Sequence, residues 1–124
     1  MSNLISSNEI TIDADTTVVA NKPVQILHCQ GYIDATTFDQ FQEAILHPTE
    51  PQQHNLVLDM SGITYVYSSG YGLLLTAQRQ AQAGGGNLVV AGLEGKVNNI
   101  FHLLGFDRVI NTFPTVEAAL ESFR

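Results

Sequence analysis

Residues 55–74 read NLVLDMSGITYVYSSGYGLL, and this stretch decides the fold. Near its start, Leu56-Val57-Leu58 is a short apolar run, which is typical of a strand buried on both faces. Its end opens a helix predicted from Ser68 to about Ala83, where the glycines at 84–86 stop it. A buried strand that leads into a helix is the unit from which sheets with helical connections are built.

The residues before this unit predict two strands and a helix. Apolar and β-branched residues dominate both strands. The helix presents Phe38, Phe41 and Ile45 on one face. The predicted elements are a strand over 9–20 with a turn near Asp13-Ala14-Asp15, a strand over 24–29, and a helix over 34–46 that Asp34 or Thr36 can cap.

The residues after the glycines alternate strand and helix again. One helix has apolar residues spaced i, i+3, i+4 and i+7, namely Val97, Ile100, Phe101 and Leu104. Thr115 is placed to cap a last helix. The predicted elements are a strand over 88–91, a helix over 94–104, a short strand at 109–110 and a helix over 115–123.

The predicted order is β, β, α, β, α, β, α, short β, α. A chain of 124 residues fits one domain, so we expect a single α/β domain over residues 1–124 with its core at about 9–123. Strands that alternate with helices indicate a mixed, mostly parallel sheet. We expect the helices to pack largely on one face of that sheet.

Composition narrows the function classes. The chain carries 12 acidic and 5 basic residues, a net charge of −7, which repels phosphate backbones and anionic lipid. We therefore expect neither a nucleic-acid nor a membrane partner. The N-terminus lacks a secretory pattern and no apolar run approaches roughly 20 residues, so we expect a cytoplasmic protein. Cys29 is the only cysteine and is predicted to be a core residue.

No residue pattern builds a catalytic or cofactor site. The four histidines lack ligand spacing, so we expect no metal and no other cofactor. A small serine hydrolase is the less favoured alternative, because Val66 stands where the Gly-x-Ser-x-Gly motif around Ser68 needs a glycine. Gly95-Lys96 is followed by Val97 instead of the Ser or Thr of a phosphate-binding loop. We expect that the protein is not an enzyme.

Ser68 and Ser69 open the helix at residue 68, and two interpretations of them stay open. Serines at a helix start commonly cap its first N–H groups. The same N–H groups and their partial positive charge would tolerate a phosphate on Ser68, which adds about two negative charges. Gly70 and Gly72 either let a partner's backbone approach or let the domain pack tightly.

Over residues 9–123 the chain resembles STAS domains of the anti-sigma-factor-antagonist family. The resemblance is carried by short stretches in a fixed order. They are Gly31-Tyr32-Ile33-Asp34, the strand region 55–63, Ser68-Ser69-Gly70-Tyr71-Gly72-Leu73, the region 85–90 and the helix region 97–106.

The resemblance implies that Ser68 is a phosphorylation site within a partner-binding surface. That surface would comprise Asp34, Ser68, Ser69, Gly70, Tyr71 and Gly72. The implied partner is an anti-sigma factor that is also a serine kinase. Phosphorylation would end the binding, and a serine phosphatase would restore it.

The chain departs from the family at one position, because Tyr67 stands where an aspartate usually precedes the acceptor serine. The alternative that Tyr67 favours is a STAS scaffold subunit of a signalling complex that works without phosphorylation.

Overall fold

The computed structural model describes residues 4–6, 9–47 and 54–124. The elements in chain order are β1 Leu4–Ser6, β2 Ile10–Val19, β3 Lys22–Ile33, α1 Phe38–Leu46, β4 Asn55–Val66, α2 Ser68–Ala83, β5 Asn87–Ala91, α3 Gly95–Leu103, a 3-10 helix Phe106–Arg108, β6 Thr112–Phe113 and α4 Val116–Glu121.

The described strands form one mixed sheet in the order β1-β2-β3-β4-β5-β6. The pairs β1–β2 and β2–β3 are antiparallel, whereas β3–β4, β4–β5 and β5–β6 are parallel. The predicted mixed and mostly parallel sheet is confirmed. Its parallel strands all end at the same edge, where each connection to the next helix begins.

Both faces of the sheet are covered, but unequally. The larger core contains Phe41 of α1, Leu74 of α2 and Phe101 of α3, packed against the sheet. The smaller core lies on the other face, where Ala119 of α4 and Phe123 pack against the strands. Of the helices in the described residues, α1, α2 and α3 lie on one face and α4 on the other, which confirms the predicted arrangement.

The prediction of a turn near Asp13-Ala14-Asp15 is wrong, because β2 is continuous from Ile10 to Val19 and pairs with β3 along its whole length. Asp13 and Asp15 are exposed, so an antiparallel strand tolerates them on its solvent side. The chain turns instead at Ala20 and Asn21, whose φ values are +50° and +67°. Two consecutive positive φ values are typical of a tight hairpin whose twist matches its strands.

The helix expected from Asp34 begins only at Phe38, and its N-cap is Thr37. Neither Asp34 nor Thr36 caps the helix, because they bond to each other. The Asp34 carboxylate accepts hydrogen bonds from the Thr36 amide at 2.8 Å and the Thr36 hydroxyl at 2.6 Å. An aspartate that binds the backbone two residues on forms a turn of its own and delays the helix.

The short strand expected at 109–110 is also wrong. Residues Phe106–Arg108 form a 3-10 helix, and the last strand is Thr112–Phe113. Leu104, the last of the four regularly spaced apolar residues, is the C-cap of α3 and is 52 % exposed. Gly105, with φ +79°, then redirects the chain.

Two helix boundaries follow the sequence closely. α2 spans Ser68–Ala83 as predicted, and a Cβ on Gly84 or Gly86 would overlap His54. Thr115 caps α4, because its hydroxyl accepts from the Ala118 amide at 3.1 Å.

Candidate functional site

The connection between β4 and α2 consists of Tyr67 alone. Its backbone is extended, with φ −83° and ψ 170°, and it is the N-cap of α2. The Tyr67 amide donates to the Ile33 carbonyl at 2.9 Å. The tyrosine ring meets Phe38 of α1 edge to face, with ring centroids 5.9 Å apart. The start of α2 is therefore held against the end of β3 and the start of α1.

Ser68 and Ser69 occupy the first two helical positions of α2, and both are exposed. Tyr67, not a serine, is the N-cap, and its side chain makes no cap hydrogen bond. The first turn of α2 also contains no acidic residue. The helix thus presents its partial positive charge at an exposed hydroxyl without a carboxylate in that turn to offset it.

Gly70 and Tyr71, the next two residues of α2, are buried. A Cβ on Gly70 would lie 2.7 Å from Val66 Cγ1 and 3.0 Å from Ile33 Cγ2, so glycine is needed there for packing inside the domain. The Tyr71 hydroxyl donates to the Val97 carbonyl at 3.3 Å. Burial, with a smaller contribution from the charge of Tyr65, raises the pKa of Tyr71. These two residues set the position of the helix start.

Gly72 lies on the open side of α2. It is exposed, and a Cβ built on it would meet no atom within 4 Å. Packing does not require glycine here, unlike at Gly70. Its bare backbone leaves room for a partner to approach next to the two serines.

Asp34 lies on the neighbouring connection, between β3 and α1. It directly follows Ile33, whose carbonyl accepts the hydrogen bond from Tyr67. The hydrogen bond from the Thr36 hydroxyl, helped by backbone amides, lowers the pKa of Asp34 despite a smaller opposing effect of desolvation. The structure therefore brings a carboxylate to the connection beside the Ser68 turn.

A small groove of about 30 Å³ lies next to this region, and no sequence motif predicted it. It lies between the end of β4 and the start of α3. Tyr65, which lines it, is 52 % exposed. The lining residues are Thr64, Tyr65, Val66, Tyr71, Lys96, Val97 and Ile100. They come from three elements that only the packing of α3 brings together.

The other chemical candidates are placed as follows. His102 pairs with Asp107, with Nδ1 and Oδ2 3.3 Å apart. Cys29 is buried as predicted, and burial, helped by the charge of Asp59, raises the pKa of its thiol to about 12.

Over residues 4–6, 9–47 and 54–124, no three His, Cys, Asp or Glu residues lie close enough together to hold a metal ion. None of the helices in these ranges has the length and apolar character needed to cross a bilayer.

Comparison with known proteins places this geometry in context. A family model described as STAS domain matches residues 15–119. BtrV of Bordetella bronchiseptica, described as an anti-sigma factor antagonist, is 24 % identical over 95 residues, which cover 77 % of this chain and 82 % of that protein.

Two solved structures share the fold. An anti-sigma factor antagonist from Mycobacterium paratuberculosis superposes with a TM-score of 0.76 at 22 % identity, over 95 % of this chain and 97 % of that chain. The Bacillus cell fate determinant SpoIIAA in its phosphorylated form gives 0.61 at 18 % identity, over 90 % of this chain and 99 % of that one.

Proposed function

This chain belongs to the STAS domain family, and we propose on that premise that it is a protein-binding switch controlled by phosphorylation of Ser68. Its partner would be an anti-sigma factor that is also a serine kinase, and a serine phosphatase would reverse the modification. The observation that carries the proposal is the exposed Ser68 hydroxyl at the N-terminus of α2, where Tyr67 provides no side-chain cap.

A phosphate on Ser68 would alter the surface and leave the fold intact. Ser68 is exposed, so the phosphate displaces no core side chain. The N-terminus of α2 offers unpaired N–H groups and a partial positive charge to the phosphate. The modification would add about two negative charges to a chain whose net charge is −7. A partner that binds the unmodified, uncharged turn would then encounter the bulk and the negative charge of the phosphate.

Ser68, Ser69 and Gly72 would make the direct contacts, because all three are exposed. Gly70 and Tyr71 would act from inside by holding the first turn of α2 against β3, β4 and α3. Asp34 would border the surface from the neighbouring connection. The names of the relatives support a partner of the anti-sigma-factor class, and SpoIIAA has a phosphorylated form.

Replacing Ser68 with aspartate tests the charge switch. We expect Ser68→Asp to weaken binding to the partner kinase at least tenfold in calorimetry, while the far-UV circular dichroism stays unchanged. The control is Thr76→Asp, which adds the same charge to exposed α2 surface about two turns away. Equal affinities for the Ser68→Asp variant and the unmodified chain would overturn the switch.

The acceptor assignment has a separate test. The chain is incubated with the kinase and ATP, and its intact mass is measured. We expect one phosphate on the unmodified chain and none on Ser68→Ala, which still binds the kinase. A phosphate retained by Ser68→Ala would place the modification on another residue.

A STAS scaffold subunit that works without phosphorylation is the second candidate. Tyr67 favours it, because the residue directly before Ser68 is a tyrosine packed against Phe38 and not the aspartate that usually precedes the acceptor serine. An unmodified mass after incubation with the kinase, together with retained binding, would support this candidate over the switch.

A further inference from the structure

A second cleft lies on the opposite side of the sheet from α2, beside α4. Its volume is about 390 Å³, which is in the range of small-ligand sites. The lining residues come from the middle of β3 and β4, from the residue after β5 and from the start of α4. They are His28, Asp59, Ser61, Gly92, Pro114, Thr115, Val116 and Glu117. None of them belongs to the surface proposed around Ser68.

Asp59 is the fixed charge of this cleft. Its Oδ2 lies 2.8 Å from Nδ1 of His28, and its Oδ1 accepts from the Ser61 amide at 3.1 Å and the Ser61 hydroxyl at 2.7 Å. Its side chain is only 18 % exposed. Burial alone would raise the pKa of Asp59, but the hydrogen bonds from His28 and Ser61 outweigh it and lower the pKa. The carboxylate is therefore ionised and held in one orientation.

The charged side chains of the lining are the carboxylates of Asp59 and Glu117. Because an ionised carboxylate only accepts, Nδ1 of His28 donates the hydrogen bond to Asp59. The Ser61 hydroxyl uses its proton on Asp59, which leaves its lone pairs free. Glu117 adds a second carboxylate from the exposed first turn of α4. No lysine or arginine is among the described residues that line the cleft.

We propose that this cleft binds an organic cation, a guanidinium or primary ammonium group, between Asp59 and Glu117. Such a group offers several N–H donors and a positive charge to the two carboxylates, and its hydrogen bonds to them are the strong, charge-assisted kind. Pro114 and Val116 offer an apolar wall for the attached alkyl chain. The group could belong to a free amine or to a basic side chain of a protein, and both present the same chemistry.

The test is a titration of the full ¹⁵N-labelled chain with agmatine, which carries both cationic groups, followed by amide chemical shifts. We expect saturable shifts at Asp59, Ser61, Gly92 and Glu117, with Ser68 unaffected. 1,4-Butanediol should leave these amides unshifted, because it has a similar alkyl chain without charge. Glycine-rich peptides with and without one arginine form a second arm. Binding of the arginine peptide as tight as that of agmatine assigns the source to a protein side chain, and preference for agmatine assigns it to a free amine.

Glu117→Gln should weaken agmatine binding about tenfold, and it should fold normally because Glu117 is exposed. The matched control is Asp39→Asn, which removes an exposed first-turn carboxylate from α1 on the other face. Absence of shifts at millimolar agmatine, equal losses in the two variants, or binding of inorganic phosphate in this cleft in place of agmatine would overturn the proposal.

Discussion

Gly70 and Gly72 of α2 are two residues apart in sequence and have opposite surroundings. Gly70 is enclosed by Val66 and Ile33, whereas a side chain at Gly72 would meet nothing within 4 Å. Sequence alone left both roles open for each glycine, because spacing does not show which side of a helix faces a neighbouring strand. The structure separates them and makes the pair a matched test of how the Ser68 turn is held.

We expect Gly70→Ala to lower the free energy of unfolding by about 1–3 kcal/mol, because the added methyl overpacks the contact with Val66 and Ile33. Gly72→Ala should raise it by up to about 1 kcal/mol, since alanine favours a helix and the site is open. Urea denaturation followed by circular dichroism measures both. Equal effects of the two substitutions would contradict the packing described here.

Cys29 should be inert in the folded protein. Thiol reactivity requires the thiolate, and burial raises the pKa of Cys29 to about 12. We expect no labelling by a thiol reagent at pH 8 in native buffer and complete labelling in denaturant. Rapid labelling of the native chain would mean that the core around β3 opens readily.

Asp59 should make the free energy of unfolding depend on pH in the acid range. Its folded pKa lies below its usual value of 3.8, so its contribution is fully present above that value and is lost as pH falls through the folded pKa. We expect Asp59→Asn to cost about 1–3 kcal/mol at pH 7, from weakened hydrogen bonds to His28 and Ser61. The deficit should shrink when urea denaturation is repeated at successively lower pH, starting from the usual value of 3.8. A deficit that is constant with pH would contradict an ionised Asp59 in this network.

At the scale of elements, the sequence predicted those helix and strand boundaries that neighbouring residues determine. The extent of α2 was predictable because serines open it and a run of glycines closes it. The start of α1 was not, since Asp34 could cap a helix or form a turn with Thr36, and both use the same residue types. The unbroken β2 was also missed, because two aspartates on the solvent side of a strand resemble a turn.

Sequence likewise predicts only part of the candidate site. The position of Ser68 at a helix start could be predicted, because Ser68 lies within a motif. The groove lined by Tyr65, Lys96 and Ile100 depends on how α3 packs against β4, which no short motif encodes. The contact between His28 and Asp59 depends on the register of β3 and β4, where these residues pair across the sheet.

α4 depends on its cap more than the longer helices do. It has six residues, and short helices are marginal without tertiary contacts or caps. We expect Thr115→Ala to lower the free energy of unfolding by about 0.5–2 kcal/mol, because the Ala118 amide loses its acceptor. Thr115→Ser, which keeps the hydroxyl, is the control in the same urea denaturation. Equal losses in both variants would show that the cap does not matter.

At the scale of the whole molecule, the sheet separates two surfaces. The Ser68 turn leads into α2 on the face covered by α1, α2 and α3. The cleft lined by His28, Asp59 and Glu117 lies beside α4 on the other face. The sheet and the two cores between them are tightly packed. We therefore expect a phosphate on Ser68 to change what the molecule binds without reaching the core.

The most direct test compares the unmodified chain with the chain phosphorylated on Ser68, titrating each into the anti-sigma-factor kinase by calorimetry. We expect the unmodified chain to bind and the phosphorylated chain to bind at least about a hundredfold more weakly, while their free energies of unfolding in urea differ by less than about 1 kcal/mol. Equal affinities, or a phosphorylated chain that has lost its fold, would contradict a phosphorylation switch at Ser68.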